Sequence, residues 1–254
     1  MKRNLRLIPR LDVKMEWLIK GVQMEGWRKV GNPAEFAKAY ADAGADELLF
    51  MDVVASLYNR NNLHDMVRKV ASQVFVPMTV GGGIRSVEDV ATMLSCGADK
   101  VAINTAATSD PELLTAVANR FGAQATVLSI EAIKTASGWL AMTDNGRNHT
   151  GREVVAWAQE AQARGAGEII VTAIDRDGLG HGYDLDLVSQ VAAAVTVPVV
   201  CGGGFGEAAH LVDLVEKTNA SGAAIAQALH WNKVQMADLR DVLVKHGCFV
   251  RALE

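Results

Sequence analysis

Two stretches of this chain repeat each other at one fixed spacing. Ala43-Gly44-Ala45-Asp46-Glu47-Leu48-Leu49 returns as Arg164-Gly165-Ala166-Gly167-Glu168-Ile169-Ile170, and Gly81-Gly82-Gly83 returns as Gly202-Gly203-Gly204. Glu47 and Glu168, like Gly81 and Gly202, stand 121 residues apart in a chain of 254. Two landmarks at one offset near half the length indicate two similar halves. Each half also contains four short apolar runs rich in branched residues, at 5–11, 48–54, 77–80 and 100–103, then at 126–130, 169–174, 198–201 and 223–226. One run per about 32 residues matches the length of a βα unit. Helix starts are legible between the runs. Asn32-Pro33-Ala34-Glu35 and Asp110-Pro111-Glu112 each set a cap residue, a proline and a carboxylate at a helix N-terminus, and Thr150-Gly151-Arg152-Glu153 predicts a helix opened by a capping box. Two (βα)4 halves close most simply into an α/β fold, a (β/α)8 TIM barrel, whose active face lies at the C-terminal ends of its strands. No Pro/Ser-rich linker interrupts the alternation, so residues 1–254 are expected to form one domain.

Composition narrows the function. The chain carries 25 Lys+Arg against 29 Asp+Glu without a basic run, which disfavours nucleic acid as a partner, because binding phosphate backbones needs clustered cations. No apolar run approaches the roughly 18 residues of a membrane span, and the first residues lack the apolar stretch of a signal peptide, so a cytoplasmic protein is expected. Cys96, Cys201 and Cys248 are odd in number and far apart, which suggests neither a disulfide framework nor a zinc site. His149, His181 and His230 have no metal-ligand spacing and are expected at the surface or in loops. No dinucleotide fingerprint is present, so no metal or redox cofactor is implied.

The chemistry sits at the strand ends. Each glycine triplet ends a strand, where the absence of side chains lets backbone N–H groups approach a ligand and the next helix adds partial positive charge, a setting that suits phosphate. Gly82-Gly83 and Gly203-Gly204 therefore predict two phosphate sites on opposite sides of one mouth, with Asn104-Thr105 beside the first. Carboxylates also end strands: Asp12, Asp52, Glu131, and Asp175 with Asp177. Strand-end acids often merely cap helices or face water. Asp12 and Glu131, however, follow the first and fifth strands, which lie opposite each other in an eight-stranded barrel, and this makes them candidates for an acid/base pair. Lys14 and Lys20 are expected partners of Asp12, and the long segment 15–30 is expected to be a loop that closes over substrate. Arg6, Glu47, Lys100 and Glu168 begin strands, at the opposite end of the barrel. They read as a solvated rim or as a ring of salt bridges.

Taken together, Leu11-Asp12-Val13-Lys14, Gly44-Ala-Asp-Glu47-Leu, Thr79-Val-Gly-Gly-Gly-Ile-Arg85, Gly97-Ala-Asp-Lys100-Val-Ala-Ile-Asn104-Thr105, Gly165-Ala-Gly-Glu168-Ile and Asp175-Arg-Asp177-Gly resemble the cyclase subunit of imidazole glycerol phosphate synthase, from about residue 5 to 251. The resemblance implies a barrel that takes ammonia from a glutaminase subunit docked on its N-terminal face as a heterodimer. With that ammonia it splits a ribulosyl formimino aminoimidazole carboxamide ribonucleotide, a substrate with a phosphate at each end, into imidazole glycerol phosphate and aminoimidazole carboxamide ribonucleotide. Asp12 then matches a catalytic aspartate, and Arg6, Glu47, Lys100 and Glu168 match a charged ammonia gate. Lys20, Asp52, Asn104 and Asp177 fall on substrate-binding positions, with Thr105 and Gly178 beside two of them.

The chain also departs from that pattern. Glu131 stands where the family has its second catalytic aspartate, Leu179 replaces a threonine after Asp177-Gly178, and Gln227 and Gly202 replace serines, so the second phosphate site is altered more than the first. Besides the cyclase, the departures leave open a related barrel that delivers ammonia to another acceptor, as in sugar amidation, and a non-catalytic barrel that only binds a glutaminase.

Overall fold

A computed structural model of the chain describes residues 4–55 and 63–251. The outermost three residues at each end of the expected domain therefore lie outside the described residues, as do 56–62. The strands in chain order are β1 (Arg6–Lys14), β2 (Trp17–Val22), β3 (Glu25–Gly31), β4 (Leu48–Asp52), β5 (Met78–Gly81), β6 (Lys100–Ile103), β7 (Thr126–Thr135), β8 (Gly138–Thr143), β9 (Asn148–Glu153), β10 (Glu168–Ala173), β11 (Val199–Gly202) and β12 (Gly222–Ile225). Eight of these, β1, β4, β5, β6, β7, β10, β11 and β12, pair in parallel in that order. The strand β12 pairs back onto β1, with Arg6 opposite Gly222. The ring therefore closes as a (β/α)8 barrel, and all eight apolar runs of the sequence are its strands.

Helices α1 (Pro33–Asp42), α2 (Leu63–Ala71), α3 (Val87–Ser95), α4 (Thr105–Ser109), α5 (Glu112–Phe121), α6 (Val154–Ala163), α7 (Leu185–Ala194), α8 (Ala209–Lys217), α9 (Gln227–His230) and α10 (Met236–Lys245) link or follow the strands. Their starts show why the chain turns where it does. The Asn32 side chain accepts from the N–H groups of Ala34 and Glu35, with Pro33 opening α1, and Ser86 and Asp89 form a reciprocal capping box on α3. Asp110 Oδ1 accepts from Glu112 N at the start of α5. The box expected at Thr150 does not form. Residues 150–153 belong to β9, and Glu153 itself caps α6 by accepting from Val155 N and Ala156 N, because the ladder with β8 takes the preceding residues.

Alternation along the barrel strands sorts side chains between two cores. On β1, Leu7, Leu11 and Val13 pack outward against the helices, while Ile8 joins Leu49, Met51, Ala102, Val127, Ile170, Val200 and Ala224 in the bore. Fully burying each such aliphatic side chain contributes about 1.5–3 kcal/mol, so a one-residue slip of any strand would exchange the two sets at large cost. The same alternation sets Arg6, Ile8, Arg10 and Asp12 on one inward row running from the bottom of the barrel to its mouth.

Strands β1 and β7 outgrow the barrel and fold back as hairpins, β1–β2–β3 and β7–β8–β9. Residues 15–30 are thus a β-ribbon rather than an irregular loop. The tip of the first hairpin crosses the mouth. Gln23 N donates to Asp177 O, Asn145 Nδ2 at the tip of the second donates to Met24 O, and Met24 packs with Met142 and Ile174.

His230 is not at the surface as expected. It is buried on α9, with Nδ1 2.7 Å from the Tyr40 hydroxyl, and α1 covers it. All three cysteines are buried and none forms a disulfide.

Candidate active site

The mouth of the barrel holds an open cavity of about 400 Å³. Its walls bring together Asp52, Gly82, Gly83, Asn104, Thr105 and Glu131, six of the residues expected to bind or react, with Arg10 and Arg85. At the first glycine triplet, Gly82 and Gly83 have φ of +100° and +73°, and a Cβ on Gly82 would lie 2.2 Å from Asp52 O. Only glycine fits there, and the backbone is left bare toward the cavity. Asn104 Nδ2 donates to Met142 O, and Thr105 Oγ1 accepts from Asp144 N, so both are held by the second hairpin. Asp52 accepts from Val54 N and Ala55 N at 3.0 Å each, and burial outweighs these bonds to hold its carboxyl above the usual range.

A second cluster adjoins the cavity. Asp12 Oδ1 lies 2.7 Å from Arg10 Nε, and Asp12 Oδ2 lies 3.9 Å from Lys20 Nζ. Lys20 reaches from β2 to grip Asp177 at 2.8 and 3.0 Å, while Lys14 sits over the ring of Trp27 instead of pairing with Asp12. Arg10 spans the bore to donate from Nη1 to Thr172 Oγ1 on β10 at 2.9 Å, directly beside Glu131, whose register partner is Thr172. Burial alone would raise Asp12, but the charges of Arg10 and Lys20 outweigh it and hold the carboxyl below its ordinary value. Glu131 has the opposite balance. Burial pushes it up to about 7, opposed only in part by the N–H of Gly146 at 2.8 Å and by Arg10, with the charges of Asp12 and Asp144 adding to the rise. One carboxyl is therefore ionised at neutral pH and the other is near half protonation.

The second glycine triplet does not line the cavity. Gly203 repeats the geometry of Gly82, at φ +83° with its absent Cβ 2.5 Å from Ala173 O, but Gly204 O accepts from Gly182 N and a Cβ there would meet Gly182 O at 2.1 Å. Gly178 backs onto the first hairpin, with Gly21 O 2.6 Å from where its Cβ would be. Asp175 is spent on structure, accepting from Lys134 N.

At the opposite end of the bore, Arg6, Glu47, Lys100 and Glu168 form a closed ring of alternating charge. Arg6 Nη1 is 2.7 Å from Glu47 Oε2, Lys100 Nζ is 2.7 Å from Glu47 and 2.6 Å from Glu168, and Arg6 Nη2 closes the circuit to Glu168. Both glutamates are buried, so the solvated-rim reading does not hold. Burial would raise Glu168, yet Arg6 and Lys100 keep it low.

Three contributors were missed in the sequence. Arg10 is signalled only by period two, two residues from Asp12 on the same inward row. The Gly146 N–H and Asn145 belong to a tight turn announced by Asp144-Asn145-Gly146, all three at positive φ, a turn signature that points to the second hairpin. Among the described residues, no group of three or more His, Cys, Asp or Glu side chains is placed to hold a metal, and no helix is long and apolar enough to cross a membrane.

Residues 6–235 match the family model of histidine biosynthesis proteins. The chain is 58% identical over 205 residues to the imidazole glycerol phosphate synthase subunit HisF of Legionella pneumophila, covering 80% of this chain and 97% of that protein. It is 45% identical over 247 residues to HisF of Streptococcus mutans, covering 97% and 98%, and 47% identical over 248 residues to HisF of Myxococcus xanthus, covering 98% of both. A match across the whole barrel, with this mouth at one end and this charged ring at the other, means that the chain belongs to the histidine biosynthesis protein family, among the HisF-type barrels.

Proposed function

We propose that this barrel, taken as one domain over residues 1–254, is the cyclase subunit of imidazole glycerol phosphate synthase. It uses ammonia to convert the ribulosyl formimino aminoimidazole carboxamide ribonucleotide into imidazole glycerol phosphate and aminoimidazole carboxamide ribonucleotide. Its HisF relatives make it an enzyme of histidine biosynthesis and imply a glutaminase partner in a heterodimer. The reading docks that partner on the N-terminal face, where the ring of Arg6, Glu47, Lys100 and Glu168 gates ammonia into the bore, and sets the complex in the cytoplasm.

The observation that carries this reading is the unequal pair of carboxyls at one mouth. Ammonia attacking the ribulosyl carbonyl must lose protons, and the carbonyl oxygen must gain them to depart as water. Asp12, held ionised by Arg10 and Lys20, takes a proton from nitrogen, and Glu131, which burial keeps about half protonated at neutral pH, gives one to oxygen. Ring closure then expels the aminoimidazole nitrogen, which needs a proton in turn, and the same pair supplies the transfer. Gly82, Gly83, Asn104 and Thr105 anchor one phosphate, with Asp52 beside them. Gly203 and Gly204, with Gly178, Lys20 and Asp177 nearby, anchor the other. Anchoring both ends converts binding energy into orientation at the reacting carbon.

The test is steady-state turnover by the purified chain alone, with ammonium salt as nitrogen source and the loss of ribonucleotide absorbance as signal. Turnover is expected, and Asp12→Asn should reduce kcat by at least about 10³-fold while leaving KM within a few-fold. No turnover by the wild-type chain would remove the cyclase assignment. A large rise in KM at unchanged kcat would remove Asp12 from the chemistry.

A further inference from the structure

The cluster around Asp12 contains one cation that the reaction as described does not use for binding. Arg10 is buried in the bore and fixed in two directions, by Nε to Asp12 Oδ1 at 2.7 Å and by Nη1 to Thr172 Oγ1 at 2.9 Å. It starts on β1, beneath Asp12, and ends against β10, beside Glu131, with which it shares the wall of the cavity. We propose that Arg10 is a positioning residue: it locks the Asp12 side chain from inside the bore and stands between Asp12 and Glu131, so that the two act as separate base and acid. The proposal rests on the cyclase reading above.

The charges around Asp12 show why such a residue is needed. Facing it are Lys20 from β2, Glu131 from β7, Asp177 from the turn after β10 and His230 from α9, with Asp52 ending the neighbouring β4. Lys20 is committed to Asp177 at 2.8 Å and is 3.9 Å from Asp12. Without Arg10, three carboxyls would share one ammonium, and neighbouring carboxyls in a dry site tend to share a proton, which removes the distinction between base and acid. A planar guanidinium satisfies Asp12 and Thr172 together, whereas an ammonium offers a single charged point. The sign of the effect is fixed. Removing a positive charge makes ionisation harder for both carboxyls, so both limbs of the pH profile of kcat/KM move to higher pH.

The experiment compares wild type, Arg10→Met and Arg10→Lys in the ammonia-dependent reaction across pH, with rates normalised to free ammonia. In Arg10→Met, both limbs should move up by about one pH unit or more and kcat should fall about 10²-fold, with KM changed much less. Arg10→Lys should return the limbs most of the way while recovering only part of kcat. If Arg10→Met folds poorly, Thr172→Val loosens the same guanidinium, and a smaller upward shift is expected. Limbs that stay in place in every variant, with activity falling evenly at all pH values, would show a merely structural arginine and overturn the proposal. If the wild-type chain does not turn over, the cyclase reading fails by itself. The Asp12 carboxyl, titrated by carbon NMR in wild type and Arg10→Met, then decides: an upward shift supports the positioning role and equal titration overturns it.

Discussion

The two half-barrels begin with the same device and end with opposite chemistry. β1 and β7 each outgrow the barrel, carry a buried carboxyl at the mouth and fold back as a hairpin. In the first half, Asp12 meets Arg10 and Lys20 and is pulled toward its charged form. In the second, Glu131 accepts from the backbone N–H of Gly146, and burial, opposed only in part by that bond and by Arg10, pushes it toward its neutral form. The glycine triplets diverge in the same way. Gly82 and Gly203 have matching backbones, but the first triplet opens on the cavity while the second is crossed by the segment containing Gly182. Duplication therefore supplies equivalent positions, and the neighbours brought in by non-repeated segments decide what each position does.

The comparison is broken most sharply at Glu131. Glu131→Gln keeps size and loses the titrating proton, so kcat should fall by about 10²–10⁴-fold, and the decline of kcat/KM centred near pH 7 should disappear from the profile. A surviving limb at that pH would assign it to another group.

The seam between the halves gives the next largest effect. His230, after β12, is buried against Tyr40 on α1, and burial lowers its pKa from the ordinary 6.5 to about 4. A histidine whose folded value is depressed adds stability that is complete above its unfolded value and is lost as pH falls from there through the folded value. The loss should reach roughly 3 kcal/mol between pH 6.5 and about 4. Urea unfolding at both ends of that window, in wild type and His230→Phe, measures it; equal slopes in the two proteins would exclude His230 as the source.

Gly82→Ala and Gly203→Ala separate the two triplets. Each puts a Cβ against a carbonyl at positive φ, so each should cost about 1–3 kcal/mol of stability by thermal or urea unfolding. Gly82→Ala should in addition raise KM by at least about tenfold, since its backbone faces the cavity, and Gly203→Ala should raise it less. Equal KM effects would mean that the second loop opens as widely as the first when substrate binds. The smallest effect lies at the far end of the bore. Lys100→Ala should lower glutamine-dependent turnover about tenfold while sparing ammonia-dependent turnover, and equal losses would remove the gate.

Much of this was legible in the chain. The 121-residue repeat and the eight apolar runs give the barrel, because period-two burial and helix caps are local and each names its own element. Asp12, Glu131, Gly82 and the charged ring could be placed at the correct ends because strand ends in a barrel have fixed addresses. The first hairpin was not legible. Its turn sets Gln23 and Met24 at φ of +51° and +61°, a conformation costing about 1–3 kcal/mol for such residues and carrying no turn signature. It persists because Asp177 O accepts from Gln23 N and the Met24 side chain is buried against Met142 and Ile174, contacts between residues more than a hundred positions apart. The division between base and acid was hidden for the same reason. Sequence determined that two carboxyls would face one mouth, since strand order and alternation fix direction. Only the tertiary structure decided which would be charged, because that depends on how much water each loses and which cations fold in beside it, and both are set by chain segments far away in sequence.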